Sequence, residues 1–205
     1  MTLPERIAVA SKNAHKLREI ARICADWPVS WMTVETTHEP WPDVAEPHET
    51  YRDNARAKAH EVARSFGVPA LADDSGIEVD ALGGAPGPRS ARFAGEEATE
   101  EENLEKLLAA VAEVSETERT ARYRCVAVLA WPDGRETSAE GVCEGRLDLN
   151  PRGERGFGYD PAFVPDGFER TMAELGDEEK DAISHRGLAL RALRERIAGG
   201  SRSSR

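Results

Sequence analysis

Two adjacent carboxylates, Asp73 and Asp74, stand beside a hydroxyl and a glycine, Ser75 and Gly76, in the segment ADDSGIEVDALGGAPGPRSARFAG at residues 72–95. A strand-like run at 77–80 follows, then a loop built from Gly83, Gly84, Pro86, Gly87 and Pro88 that ends in Arg89 and Arg92. Carboxylates suit a hard metal ion, while glycine backbone and arginine suit phosphate. Both chemistries within two dozen residues point to a metal–phosphate site. The same residues also read as a polar turn and an irregular loop, because Asp and Gly are ordinary turn formers.

Four further segments bear on the choice. Ser11, Lys12, Asn13, Ala14, His15 and Lys16 lie between a strand-like run and a helical one. A helix start exposes unpaired N–H groups and the positive end of the dipole, which attract phosphate, and Lys16 adds a full charge. The plainer reading is that Asn13 or Ser11 merely caps the helix. Asn54 and Lys58, four apart, share one face of a second helix, which is either a functional face or a solvated one. In Gly156, Phe157, Gly158, Tyr159, Asp160 and Pro161, two glycines permit close backbone approach and the rings could stack on a planar base. A core anchor or a bulge would use the same residues. Lys180 with Ser184, His185, Arg186 and Gly187 places donors at the start of the last helix, or simply decorates a surface.

These residues need a scaffold, and the pattern supplies one of mixed α/β class. Residues 6–10 form a strand-length apolar run, and Leu17, Ile20, Ala21 and Cys24 recur at helical spacing after it. Residues 29–34 read as a second strand and 35–49, with three prolines and several acids, as a loop. Ala55, Ala59, Val62, Ala63 and Phe66 mark a helix face stopped at Gly67. DDSG is expected to be a loop, and Thr99 with Glu102 a capping box opening a helix. Residues 121–131 and 136–149, separated by Pro132, Asp133 and Gly134, read as a long antiparallel hairpin. A last helix is expected at 184–197 and a frayed tail at 199–205. No internal repeat or linker is visible, so 1–198 reads as one domain.

Composition narrows the function. A chain of 205 residues with 40% hydrophobic content can bury a core. A net charge of −11 disfavours a general nucleic-acid binder, although one nucleotide site needs only local positive charge. Cys24, Cys125 and Cys143 have no paired spacing and read as free thiols in a reducing compartment. No stretch approaches the roughly 18 apolar residues of a membrane span. No basic segment followed by an apolar run opens the sequence. The expectation is a cytoplasmic protein that binds neither membrane nor nucleic acid.

Together the segments SxNxxK, DNAxxKA, ADDSGIEVDALGGAPGxxSARFAG, GFGYDPxF and EEKxxISHRG, at residues 7–193, resemble the inosine/xanthosine triphosphate pyrophosphatase family. The resemblance implies an elongated two-lobed fold around a long twisted mixed β-sheet with flanking helices, the site lying in the cleft between lobes, and a homodimer. It implies Mg²⁺-dependent hydrolysis of ITP, dITP and XTP to the monophosphate and pyrophosphate, which clears deaminated purines from the nucleotide pool. Asp74 then matches the metal ligand and proton acceptor, and Ser75 a substrate contact. Residues 11–16 match the triphosphate loop and Lys58 a further cationic contact. Phe157, Gly158, Tyr159, Asp160, Lys180, His185 and Arg186 match the surroundings of base and sugar. The glycine–proline loop becomes a shaping element, and Arg89 and Arg92 keep no role. The chain departs from the family at Lys12, where glycine is common. It departs again at residues 45–50, where an EETG-like run is usual; Glu46 is the candidate second metal ligand, or Ala45 occupies one of the acidic positions. A related pyrophosphatase for pyrimidine or modified-base nucleotides, or a nucleotide-binding sensor without turnover, are the alternatives.

Overall fold

Alternation of small and branched apolar residues along the strands sets which helix covers which face. The computed structural model describes residues 3–44 and 48–199. Within them one sheet contains β1 (Arg6–Val9), β2 (Ser30–Met32), β3 (Ala70–Val79), β4 (Thr120–Ala130), β5 (Glu136–Leu147) and β6 (Phe163–Pro165), in the order β2-β1-β3-β4-β5-β6. The helices are α1 (Ala14–Ile23), α2 (Tyr51–Phe66), α3 (Glu100–Ala110), α4 (Asp177–Ile183) and α5 (His185–Gly199). β1 runs parallel to β2 and β3, and β5 antiparallel to β6, so the sheet is mixed, as the α/β reading implies. None of these helices is long and apolar enough to cross a membrane.

The chain divides into two compact units. The first comprises Met1–Asp74, Cys125–Gly141 and Arg186–Arg205; the second comprises Ser75–Arg124 and Val142–His185. In the first unit, Ile7, Val9, Leu71, Cys125, Ala127 and Leu129 pack against Leu17 and Ile20 of α1 and Leu190 and Leu193 of α5. The intervening Ala8, Ala10, Ala70, Ala72, Val126 and Val128 pack against Ala55, Ala59, Val62 and Ala63 of α2. This is the two-residue period of a strand, with both faces buried, as parallel strands require. In the second unit Ile77, Val79, Tyr123, Leu147 and Phe163 share a core with Leu107 and Val111. There the polar side of the strands carries Glu78, Arg122, Arg124 and Glu144, joined by ion pairs of 3.0 Å from Arg122 to Glu144 and from Arg124 to Glu78.

Local signals hold where they are chemically specific. Gly67 ends α2 in the left-handed region at φ 64°, and Thr99 and Glu102 form the expected capping box of α3. All three cysteines are free and buried. The main correction concerns DDSG, which is not a loop: residues 73–76 lie inside the ten-residue β3. Burial overrides the turn preference of Asp and Gly, because both carboxylates meet cationic or amide partners in the packed interior. The strand expected at 29–34 shortens to Ser30–Met32, and α4 and β6 arise where no helix or strand was expected. Both are short, seven and three residues, below the length at which periodicity is readable. The expected tail beyond Gly199 lies outside the described residues, as does Glu46.

Candidate active site

The strand period sends Asp73 and Asp74 to opposite faces of β3, and each meets different cations. Asp73 joins the face of Leu71 and Cys125. There Arg186, at the start of α5, directs Nη2 and Nε to Oδ2 at 3.1 and 3.3 Å, and Lys16 Nζ of α1 lies 3.2 Å from the same oxygen. Arg186 Nη1 also bonds Glu19 of α1. Burial works to raise the Asp73 carboxyl, but the Lys16, Arg186 and Lys58 charges outweigh it and hold it well below the usual carboxylate range. Burial likewise works against the Arg186 charge, and Asp73 and Glu19 more than restore it.

Asp74 joins the face covered by α2. Asn54 Nδ2 donates to its Oδ2 at 3.1 Å, and Lys58 Nζ lies 3.7 Å from Oδ1. Lys58 also donates to the Asp73 carbonyl at 2.8 Å. That carbonyl has a structural reason to want a donor. Ala10 N bonds Leu71 O at 2.7 Å, and two residues on, Asp73 O points the same way past the end of β1. Asn54 and Lys58 thus share a face as their spacing predicts, but the face is buried, not solvated.

At the end of β1 the chain turns into α1. Asn13 is the N-cap, its Oδ1 accepting from His15 N at 2.8 Å and Lys16 N at 3.1 Å, and Ser11 Oγ accepts from Asn13 N at 3.2 Å. The capping reading is therefore realised, and the remaining N–H groups of the first turn stay at the positive end of the helix. Ala14 opens the helix, exposed; Lys12 is exposed and pairs with Asp43 at 2.9 Å; His15 Nδ1 accepts from Arg18 at 3.0 Å. Lys16, expected to add charge for phosphate, is tied to Asp73.

The second unit holds the aromatic group. Asp160 Oδ2 accepts from Phe157 N at 2.9 Å and from Lys180 Nζ at 2.6 Å, with both Asp160 and Lys180 buried. The Lys180 ammonium sits 5.1 Å from the Phe157 ring centre. Gly156, at φ 75°, admits this turn because a Cβ there would lie 2.1 Å from Asp160 Oδ2. Gly158 N donates to Glu100 at 2.9 Å, and Tyr159 Oη donates to Ser90 O at 2.7 Å. His185 stacks on Tyr123 at 4.6 Å and 8°. Ser75 is half-buried, directly after Asp74.

The expected residues therefore fall into two groups: residues 11–16, Lys58, Asp74 and Arg186 in the first unit, and Ser75, Phe157, Gly158, Tyr159, Asp160, Lys180 and His185 in the second. Arg186, expected beside base and sugar, opens α5 and bonds Asp73 and Glu19. Its side chain is 1% exposed and its guanidinium is committed to two carboxylates. Glu19 was not foreseen; its one signal is an acid next to the buried positions Leu17 and Ile20 on α1.

Among the described residues, no three His, Cys, Asp or Glu side chains converge in a way that could hold a metal ion. Magnesium asks for less, since one or two carboxylates suffice when phosphate and water complete the shell. Asp74 meets that minimum. Asp73 does not add to it, because it faces away and is consumed by Lys16 and Arg186.

A family model described as the Ham1 family matches residues 7–196. A protein from Streptomyces avermitilis named dITP/XTP pyrophosphatase is 48% identical over 92% of this chain and 94% of its own length. One of the same name from Geobacter sulfurreducens is 45% identical over 94% and 96%. Among solved structures, a HAM1 protein from Coxiella burnetii superposes with a TM-score of 0.84 at 38% identity, covering 97% of this chain and 100% of that one.

Proposed function

The chain belongs to the Ham1 family, and on that premise we propose that it hydrolyses the triphosphates of deaminated purines, dITP, XTP and ITP, to the monophosphate and pyrophosphate. The observation that carries this reading is Asp74: a buried carboxylate with Lys58 and Asn54 on it, at the end of β1 where α1 begins. Ligands of α/β sheets gather at the carboxyl ends of parallel strands, for the same reason that helix N-termini gather phosphate.

In this reading the loop at residues 11–16, at the positive end of α1, receives the triphosphate together with Lys58. Water attacks the α-phosphorus, the bond from that phosphorus to the bridging oxygen breaks, and pyrophosphate leaves with the electron pair. Asp74, with Glu46 as the candidate second acid, would hold Mg²⁺, which offsets the charge gathering on the phosphate oxygens. Asp74 is also the acid assigned to the proton of the attacking water. A carboxylate bound to a cation is a weak base, so the two roles are alternatives or belong to different metals or steps.

Hypoxanthine and xanthine carry a keto acceptor at C6 where adenine carries an amino donor. Phe157 supplies a ring for the base, while backbone N–H groups or His185 and Arg186 supply donors. A mismatch with adenine costs on the order of 1–3 kcal/mol. A homodimer and a cytoplasmic location accompany the reading, and sedimentation measures the first. The deciding test incubates the protein with ITP and Mg²⁺ and separates the products. IMP with pyrophosphate upholds the proposal; IDP with phosphate, or no product, overturns it.

A further inference from the structure

We propose that Asn54 is a positioning residue for the reaction, one that fixes the Asp74 carboxylate and ties the chain at His48 to it; this rests on Asp74 being the reacting acid. Asn54 is fully buried on α2. Its amide is used on both sides. Oδ1 accepts from His48 N at 3.1 Å, while Nδ2 donates to His48 O at 3.2 Å and to Asp74 Oδ2 at 3.1 Å. An asparagine NH₂ group has two hydrogens, so both donors are spent.

This arrangement also fixes which way the amide points. The His48 N–H demands the oxygen on its side, so the NH₂ must face Asp74; the reverse would set oxygen against carboxylate. The orientation of the Asn54 amide toward Asp74 is therefore dictated by the backbone at His48, six positions before Asn54, rather than by the carboxylate itself. Lys58, one helical turn along, lies by Oδ1, so one helix face addresses both Asp74 oxygens.

Neither aspartate nor leucine serves here. Aspartate at 54 keeps the acceptor for His48 N but loses both donors and faces Asp74 with like charge. Leucine keeps the volume and loses every bond. Groups that orient a reacting or metal-holding carboxylate change activity by roughly 10–100-fold when removed. The loss falls on kcat, because the substrate's own contacts lie elsewhere.

The test compares wild type, Asn54→Asp and Asn54→Leu for pyrophosphate release from dITP with Mg²⁺, well below each variant's melting temperature. The expected result is a kcat lowered 10–100-fold with KM within about threefold, in samples of native circular dichroism. A lowered melting temperature with unchanged kcat makes Asn54 structural only and overturns the proposal. A raised KM with unchanged kcat makes it a substrate contact and overturns it equally. A second arm needs no turnover. The Asn54 side-chain NH₂ signals, assigned in ¹⁵N spectra by their loss in Asn54→Leu, should shift in Asp74→Ala, which removes the acceptor. Signals that stay in place sink the proposal even if the enzyme is active. If wild type releases no pyrophosphate from any of the three triphosphates, the activity reading fails by itself, and the proposal, which needs Asp74 to react, falls with it, whereas a working wild type with unaffected variants overturns Asn54 alone.

Discussion

Arg186 reaches Asp73 across 113 positions of sequence, its Nη2 3.1 Å from Oδ2, and both side chains are 1% exposed. An ion pair so fully removed from water is worth little as a net gain, but removing one partner strands the other. Arg186→Met is therefore expected to destabilise the fold by about 3–5 kcal/mol, read from urea unfolding. Arg186→Lys should recover only part, since one ammonium cannot replace the guanidinium fork that serves both Asp73 and Glu19.

Asp73 also gives acid stability a direction. Burial pushes its carboxyl up, the Lys16, Arg186 and Lys58 charges pull it down further, and the folded value ends below the unfolded one. A depressed carboxylate contributes stability above its unfolded pKa, near 3.9, and loses it as pH falls toward the folded value. Unfolding free energy should thus decline below about pH 4. Asp73→Asn should flatten that decline while lowering stability at pH 7; an unchanged slope would count against the assignment.

Asp74→Asn should lower pyrophosphate release from dITP by on the order of 100-fold or more, the scale of lost acid–base and ion-holding groups. Its melting temperature should stay near wild type, because the Asn54 NH₂ still finds an amide oxygen at position 74. Near-normal turnover would remove Asp74 from the centre of the reaction.

Gly76→Ala tests the close approach behind the acidic pair. A Cβ at this position would lie 2.2 Å from the Gly87 carbonyl oxygen and 2.5 Å from Ser90 Oγ. Ser90 has no room to yield, since its hydroxyl donates to Gly87 O at 2.6 Å and accepts from Ile77 N at 2.9 Å. The expected cost is about 1–3 kcal/mol in chemical unfolding, with turnover reduced through displacement of β3.

The cysteines should be inert in the folded protein. Burial, with the nearby Asp26 charge, pushes Cys24 up to about 12, and burial, with nearby acids, pushes Cys143 up to about 12 as well. Burial carries Cys125 beyond that range. At pH 8 the thiolate that reacts is a minute fraction. Mass spectrometry after iodoacetamide treatment should find the native chain unmodified and the urea-unfolded chain modified three times; rapid native labelling would contradict the burial.

Whatever depends on neighbours along the chain was legible before folding. The Thr99–Glu102 box, the Gly67 stop, the Asn13 cap and the shared face of Asn54 and Lys58 are all settled within four residues, where steric and hydrogen-bonding rules act directly. The acidic pair, the two glycine-flanked aromatics and the family resemblance were legible for the same reason, as fixed residue types at fixed spacings. Partnership across the fold was decided by tertiary structure alone. Nothing local told DDSG to be a strand, since its residues prefer turns and only burial between α2 and the α1–α5 face reverses that preference. The resemblance singled out Asp74, but the partners that separate it from Asp73 come from the fold. One became the anchor of Lys16 and Arg186, and the other the acid held by Asn54 and Lys58, because a strand turns successive side chains to opposite faces and different helices cover those faces.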